Sequence, residues 1–104
     1  MLKLQPTPTF KCQVSIPVPG QDSAKVELVF KHMTRTAFDL LMSGEGSRER
    51  ADIDTVMAFV CGWEGVEAAF SREAMAELLE NYHGAASAIS TAYASELVRG
   101  RLGN

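Results

Sequence analysis

Reactive and anchoring features are scarce in this sequence of 104 residues. It has two cysteines, Cys12 and Cys61, in segments of different pattern, too few for a disulfide framework. Both are read as small buried hydrophobes in a reducing compartment. No apolar run approaches the ~20 residues that a membrane span requires. The opening MLKLQPTPTF carries two prolines and no apolar central run, which argues against a secretory leader. Positive charge is in deficit, with 13 acidic residues against 10 basic ones and a net charge of −3. The basic residues are also scattered, so neither a nucleic-acid partner nor a membrane is expected.

The chemistry of catalysis is missing as well. His32 and His83 stand apart, with no cysteine or carboxylate at ligand spacing, so no metal site is read from them. Gly44-Glu45-Gly46 lacks the trailing glycine and lysine that would cradle a phosphate. Cys61 is read as packing rather than as a nucleophile. No catalytic residue, metal or cofactor is expected, and the chain is read as not an enzyme. An enzyme subunit would need a pocket joining Tyr82, His83 and a carboxylate.

The residues that are present describe an ordinary folded domain, 46% hydrophobic and 22% charged. One α+β domain is expected over residues 1–104, mainly helical, with an N-terminal β-hairpin packed on about four α-helices. Residues 1–9 are read as a flexible arm, since Pro6 and Pro8 favour extended backbone. Phe10, Cys12, Val14, Ile16 and Val18 then alternate with polar residues, the period of a half-buried strand. Pro17 and Pro19 place its far end at a sheet edge. After the turn signal Gly20-Gln21-Asp22-Ser23, Val26, Leu28 and Phe30 form a second alternation, and the two make a hairpin.

Four helical patterns follow. Thr34 is the predicted N-cap of the first, with Met33 and Phe38 at the spacing of a hydrophobic staple, and Ser43-Gly44 ends it. The second begins near Asp52 and turns Ile53, Val56, Met57 and Val60 inward, with Gly62 at its C-terminal end. A tight turn then carries the only tryptophan, Trp63, between Gly62 and Gly65. Trp63 is read as a core anchor, or alternatively as an interface hot spot. Ser71 caps a third helix with Met75, Leu78, Leu79 and Tyr82 on one side. Glu73, Glu77 and Glu80 lie opposite, read as a solvated face or a docking surface for a basic helix. His83-Gly84 breaks it. The last helix runs from Ala85 into Arg99 with Ala85, Ala86, Ile89, Ala92, Tyr93 and Leu97 inward. Glu96 falls on that inward face and requires either a partner or a helix end that projects past the core.

From Val26 to Arg101 the chain resembles the tail assembly chaperones of long-tailed phages. The likeness lies in Phe30-Lys31-x-x-Thr34-Arg35, Gly62-Trp63-x-Gly65-Val66, Phe70-Ser71, Leu78-Leu79-x-x-Tyr82, and Ala85-Ala86 through Tyr93. His83 departs from the proline expected after the tyrosine. The resemblance implies a non-enzymatic protein that binds the tape measure protein and keeps it soluble while the tail is built. It also implies residence in the host cell cytoplasm, absence from the mature virion, and the shorter of two chaperone products. The longer product, made by frameshifting, would contact the tail tube protein. Partner contact and homo-oligomer formation are expected to use Trp63, Tyr82, Ile89, Tyr93 and Leu97. A small prophage-encoded regulatory or antitoxin-like protein-binding module is the alternative reading.

Overall fold

The computed structural model describes residues 1–100. Along the chain come β1 (Thr9–Ile16), β2 (Ala24–Lys31), α1 (Arg35–Ser43), α2 (Asp52–Met57), β3 (Val60–Glu64), α3 (Arg72–Asn81) and α4 (Ala85–Arg99). The two alternating segments pair antiparallel, with Phe10 opposite Phe30, Cys12 opposite Leu28 and Val14 opposite Val26. Apolar residues thus meet across the ladder on one face. A slip of one residue would turn the apolar row of one strand to solvent, which fixes the register. Pro17 and Pro19 lie just beyond β1, which is an edge strand, where a missing donor costs the ladder nothing. The fold is α+β, a sheet and four helices, as the sequence implied.

The sheet has a third strand where the sequence pattern predicts the end of a helix. The helical period puts Val60 on the inward stripe of the second helix and Gly62 at its end. Instead α2 stops at Met57, and Val60–Glu64 pairs with β2 in the order β1-β2-β3. Val60 fits a helical period and a strand equally well. What decides is that β2 would otherwise keep an unpaired edge, while Val60 and Trp63 suit a half-buried sheet. Gly62 pairs with Val29 inside the strand, and of the two glycines that flank Trp63 it is Gly65, at the turn that follows, that has a positive φ (92°). Trp63 is therefore a strand residue opposite Leu28.

The register shifts between Val29 and Phe30, since Gly62 pairs with one and Val60 with the other. Cys61 is the extra residue of that bulge and is exposed, its thiol donating to the Val29 carbonyl at 3.5 Å. This corrects its reading as a buried hydrophobe; Cys12, on the inner face, is half-buried.

Behind the sheet, α4 lies across β1 and packs with α2 and α3. Its approach is close at Gly84, where an added Cβ would stand 3.0 Å from the Pro17 ring. Ala85, Ile89 and Tyr93 recur every four residues along α4 and are all buried, as the helical period required. Tyr93 centres an aromatic cluster. It stacks on Phe59 at 4.2 Å and meets Phe30 edge-on at 5.1 Å, with Phe38 at 5.9 Å and Phe10 at 6.2 Å. Its hydroxyl donates to the Lys31 carbonyl at 2.6 Å, which ties α4 to the end of β2 and satisfies the buried phenol. Glu96 is half-buried, one turn beyond the cluster.

The predicted caps are formed: Thr34 accepts from the Ala37 amide and Ser71 from the Ala74 amide. α1 has no buried residue and leaves Leu40 63% exposed. Phe38 and a hydrogen bond from the Arg50 guanidinium to the Leu41 carbonyl hold it. Residues 1–8 are exposed throughout, and the Pro8 carbonyl accepts from the His32 amide.

Burial pushes the Tyr93 phenol up from 10.0 to about 12. The folded state thus holds the proton more tightly than the unfolded chain, whose tyrosine titrates near 10. The corresponding stabilisation is complete below pH ~10 and is lost as pH rises towards ~12. Tyr93→Phe should cost about 1 kcal/mol at neutral pH by leaving the Lys31 carbonyl without its donor. It should also flatten the decline in urea midpoint between pH 10 and 12. An equal alkaline decline in both proteins would show that Tyr93 does not carry it.

Candidate functional site: an apolar groove with an acidic rim

Three segments converge at one end of the sheet. Ile16, Val18 and Val26 come from the hairpin, Trp63, Val66 and Glu67 from β3 and the loop after it, and Glu77, Leu78 and Tyr82 from α3 and its C-cap. They wall an open groove of about 470 Å³. Pairing with Leu28 turns the Trp63 side chain to the inner face, towards α3. Its indole N–H donates to the Ala68 carbonyl at 2.8 Å, and Phe70 meets the ring edge-on at 5.2 Å. These two contacts pin the loop from Gly65 to Ala69 against the indole and fix one wall. Trp63 is half-buried: it anchors the loop and keeps part of its indole at the surface.

Most of the lining side chains are apolar, with Asn81 among them, and among the described residues the charged groups that line the groove are the exposed carboxylates Glu67 and Glu77, with no lysine or arginine. Such a groove can take an apolar segment of another polypeptide, and it favours one that carries a cation.

The five residues expected to meet partners are not brought together. Trp63 and Tyr82 both line the groove, and Tyr82 is 36% exposed. Ile89 and Tyr93 lie in the core, and no partner reaches them without opening the fold. The physical reason is the helical period itself: the stripe that marks them as apolar is the stripe that α4 turns onto the sheet. Leu97 is half-buried, roughly 18 Å along α4 from Ala85. Val18, Val66, Leu78 and Glu67 also line the groove and carry no such signal in the sequence, whereas Glu77 belongs to the acidic stripe whose alternative reading is a docking surface. Leu78 and Glu77 were assigned to opposite faces of α3; at the groove both faces contribute.

A second, smaller cleft of about 230 Å³ lies between α2 and α4, with Asp52, Thr55, His83, Ser87 and Ser90 along it. Tyr82 and His83 therefore line different cavities. Among the described residues no group of three His, Cys, Asp or Glu side chains could hold a metal ion. No described helix is long and apolar enough to cross a membrane.

The sheet, its helical backing and the acid-rimmed groove define a small α+β protein. A family model for phage tail assembly chaperones matches residues 1–104, and the chain belongs to that family. No curated protein and no solved structure matches it. The family match takes in the N-terminal arm, which lay outside the resemblance from Val26 to Arg101; Arg101 itself is outside the described residues.

Proposed function

We propose that this tail assembly chaperone binds the tape measure protein and keeps it soluble during tail morphogenesis in the host cytoplasm, without catalysing a reaction. The groove walled by Trp63, with Glu67 and Glu77 at its rim, carries this reading. A long helical client exposes apolar stripes before it is built into a tail. Each stripe offers segments that a groove of this kind can cover. One groove of this size gives weak binding, but several copies along one client bind strongly through effective concentration. The chaperone's net negative charge keeps the assembly from collapsing on itself.

The reading is tested by co-expressing the chain with the tape measure protein of the same phage and separating soluble from pelleted material. The client is expected in the soluble fraction only when the chaperone is present. An insoluble client in the presence of folded chaperone, or a client soluble without it, contradicts the proposal.

A further inference from the structure

The groove also bears on which stretches of a client it accepts. Two rows of side chains from α3 and its C-cap line it, each at the helical spacing of four. One row is apolar, Ala74, Leu78 and Tyr82, and the row beside it is polar, Glu77 and Asn81. Rows at this spacing are the ridges against which the side chains of a second helix fit. From Ala74 to Tyr82 the ridge is about 12 Å long, room for roughly two turns of helix.

The charge beside that ridge has one sign and no internal partner. On the outer face of the sheet, Glu27 and Glu64 are both met by Lys11, at 4.0 and 3.4 Å. Glu67 and Glu77, at the groove, are exposed, and among the described residues neither is paired with a cation. Lys25 falls between the lining residues Ala24 and Val26, so strand alternation turns it to the opposite face. Two unpaired carboxylates beside an apolar lining repel an acidic segment and attract a basic one, while the apolar contacts supply most of the binding.

We infer that the groove selects, among the apolar stretches of its client, two-turn helical segments whose apolar stripe is flanked by lysine or arginine. Segments flanked by glutamate or aspartate are turned away. Glu67 and Glu77 set that choice, and Trp63, Leu78 and Tyr82 hold the stripe. The inference rests on the groove being the client site. Exposed ion pairs are worth little singly, so the selection amounts to about tenfold between two segments and is not all or none.

Trp63 fluorescence reads this selection, with two synthetic, tryptophan-free helical peptides of about 15 residues as probes. Both carry the same leucine stripe, one with lysines beside it and the other with glutamates. The lysine peptide should bind about tenfold tighter, and raising salt from about 0.02 M to about 0.5 M should bring the two together. Glu67→Gln/Glu77→Gln should remove most of the difference, and Glu67→Lys/Glu77→Lys should reverse it. Glu45→Gln/Glu49→Gln changes the net charge by the same amount on the loop between α1 and α2, and should leave the difference in place. Melting curves confirm that each variant is folded. Equal affinity of the wild type for both peptides overturns the inference and leaves the proposed function standing. A difference that the Glu45/Glu49 variant removes as fully as the rim variant does the same. A groove that takes neither peptide, whether open or covered by a second copy in sedimentation velocity, overturns it as well. Failure of the proposed function looks different: the tape measure protein then pellets beside folded chaperone, whatever the peptides do.

Discussion

Tyr93→Ala is expected to remove about 3–5 kcal/mol of stability, as deletion of a fully buried aromatic ring does. Domains of this size hold about 5–15 kcal/mol in total, so the variant should lie close to the edge of folding. The loss has three parts that act at one place. The ring is fully buried against Phe59 and Phe30, with Phe10 and Phe38 beside it, and its hydroxyl closes the β2 end at Lys31. Truncation opens a void between the sheet and α4 and leaves a carbonyl unpaired. α1 should loosen first, because none of its residues is buried and Phe38 is its contact with the cluster. Thermal unfolding monitored by circular dichroism, with hydrogen exchange on residues 35–43, checks both statements. A melting temperature within a few degrees of the wild type would mean that the cluster is not the keystone of the core.

Groove variants should behave in the opposite way, with a large loss of client binding and a small loss of stability. Tyr82→Asp places a carboxylate at a position that is already partly exposed, beside Glu77 on the same wall. An apolar segment that docks there must then bury a charge or leave, so client solubilisation is expected to fail outright. The fold should lose less than about 1 kcal/mol, as surface substitutions usually do. Trp63→Ala should abolish binding as well, at a higher cost in stability, because Phe70 and the Ala68 carbonyl lose their partner. That cost should stay below the ~3–5 kcal/mol of a fully buried ring, since Trp63 is half-buried. Co-expression and pelleting with each variant, beside a melting curve of each, separates the two effects. Full client solubility with Tyr82→Asp would place the binding surface elsewhere, with Leu97 the remaining accessible candidate.

The regular parts of this fold were legible in the sequence. Phe10 to Val18 and Val26 to Phe30 alternate cleanly, and a period of two has one structural meaning when each strand buries one face. Thr34 and Ser71 announced helix starts because a hydroxyl before a helical pattern satisfies amides that nothing else reaches. β3 was not legible: five residues are too few for periodicity to separate strand from helix. What makes Val60–Glu64 a strand is the free edge of β2, a fact of tertiary structure. The exposure of Cys61 follows from the bulge in that same strand. The groove was half visible. Trp63 and Tyr82 stood out as aromatics next to glycine or a helix break, whereas Val18, Val66 and Glu67 carry no local mark and matter only because three segments meet. Ile89 and Tyr93 show the limit of apolarity as a guide, since a buried stripe and a binding stripe have the same composition.

The groove holds the only tryptophan of the chain, so its occupancy can be read without a label. The most direct measurement is the fluorescence of Trp63 during titration with a tryptophan-free helical segment of the tape measure protein. Covering the half-exposed indole should shift its emission to shorter wavelength and protect it from iodide quenching, with Tyr82→Asp showing neither change. A client segment that binds while the Trp63 emission and its quenching stay unaltered would contradict the groove as the site of client contact.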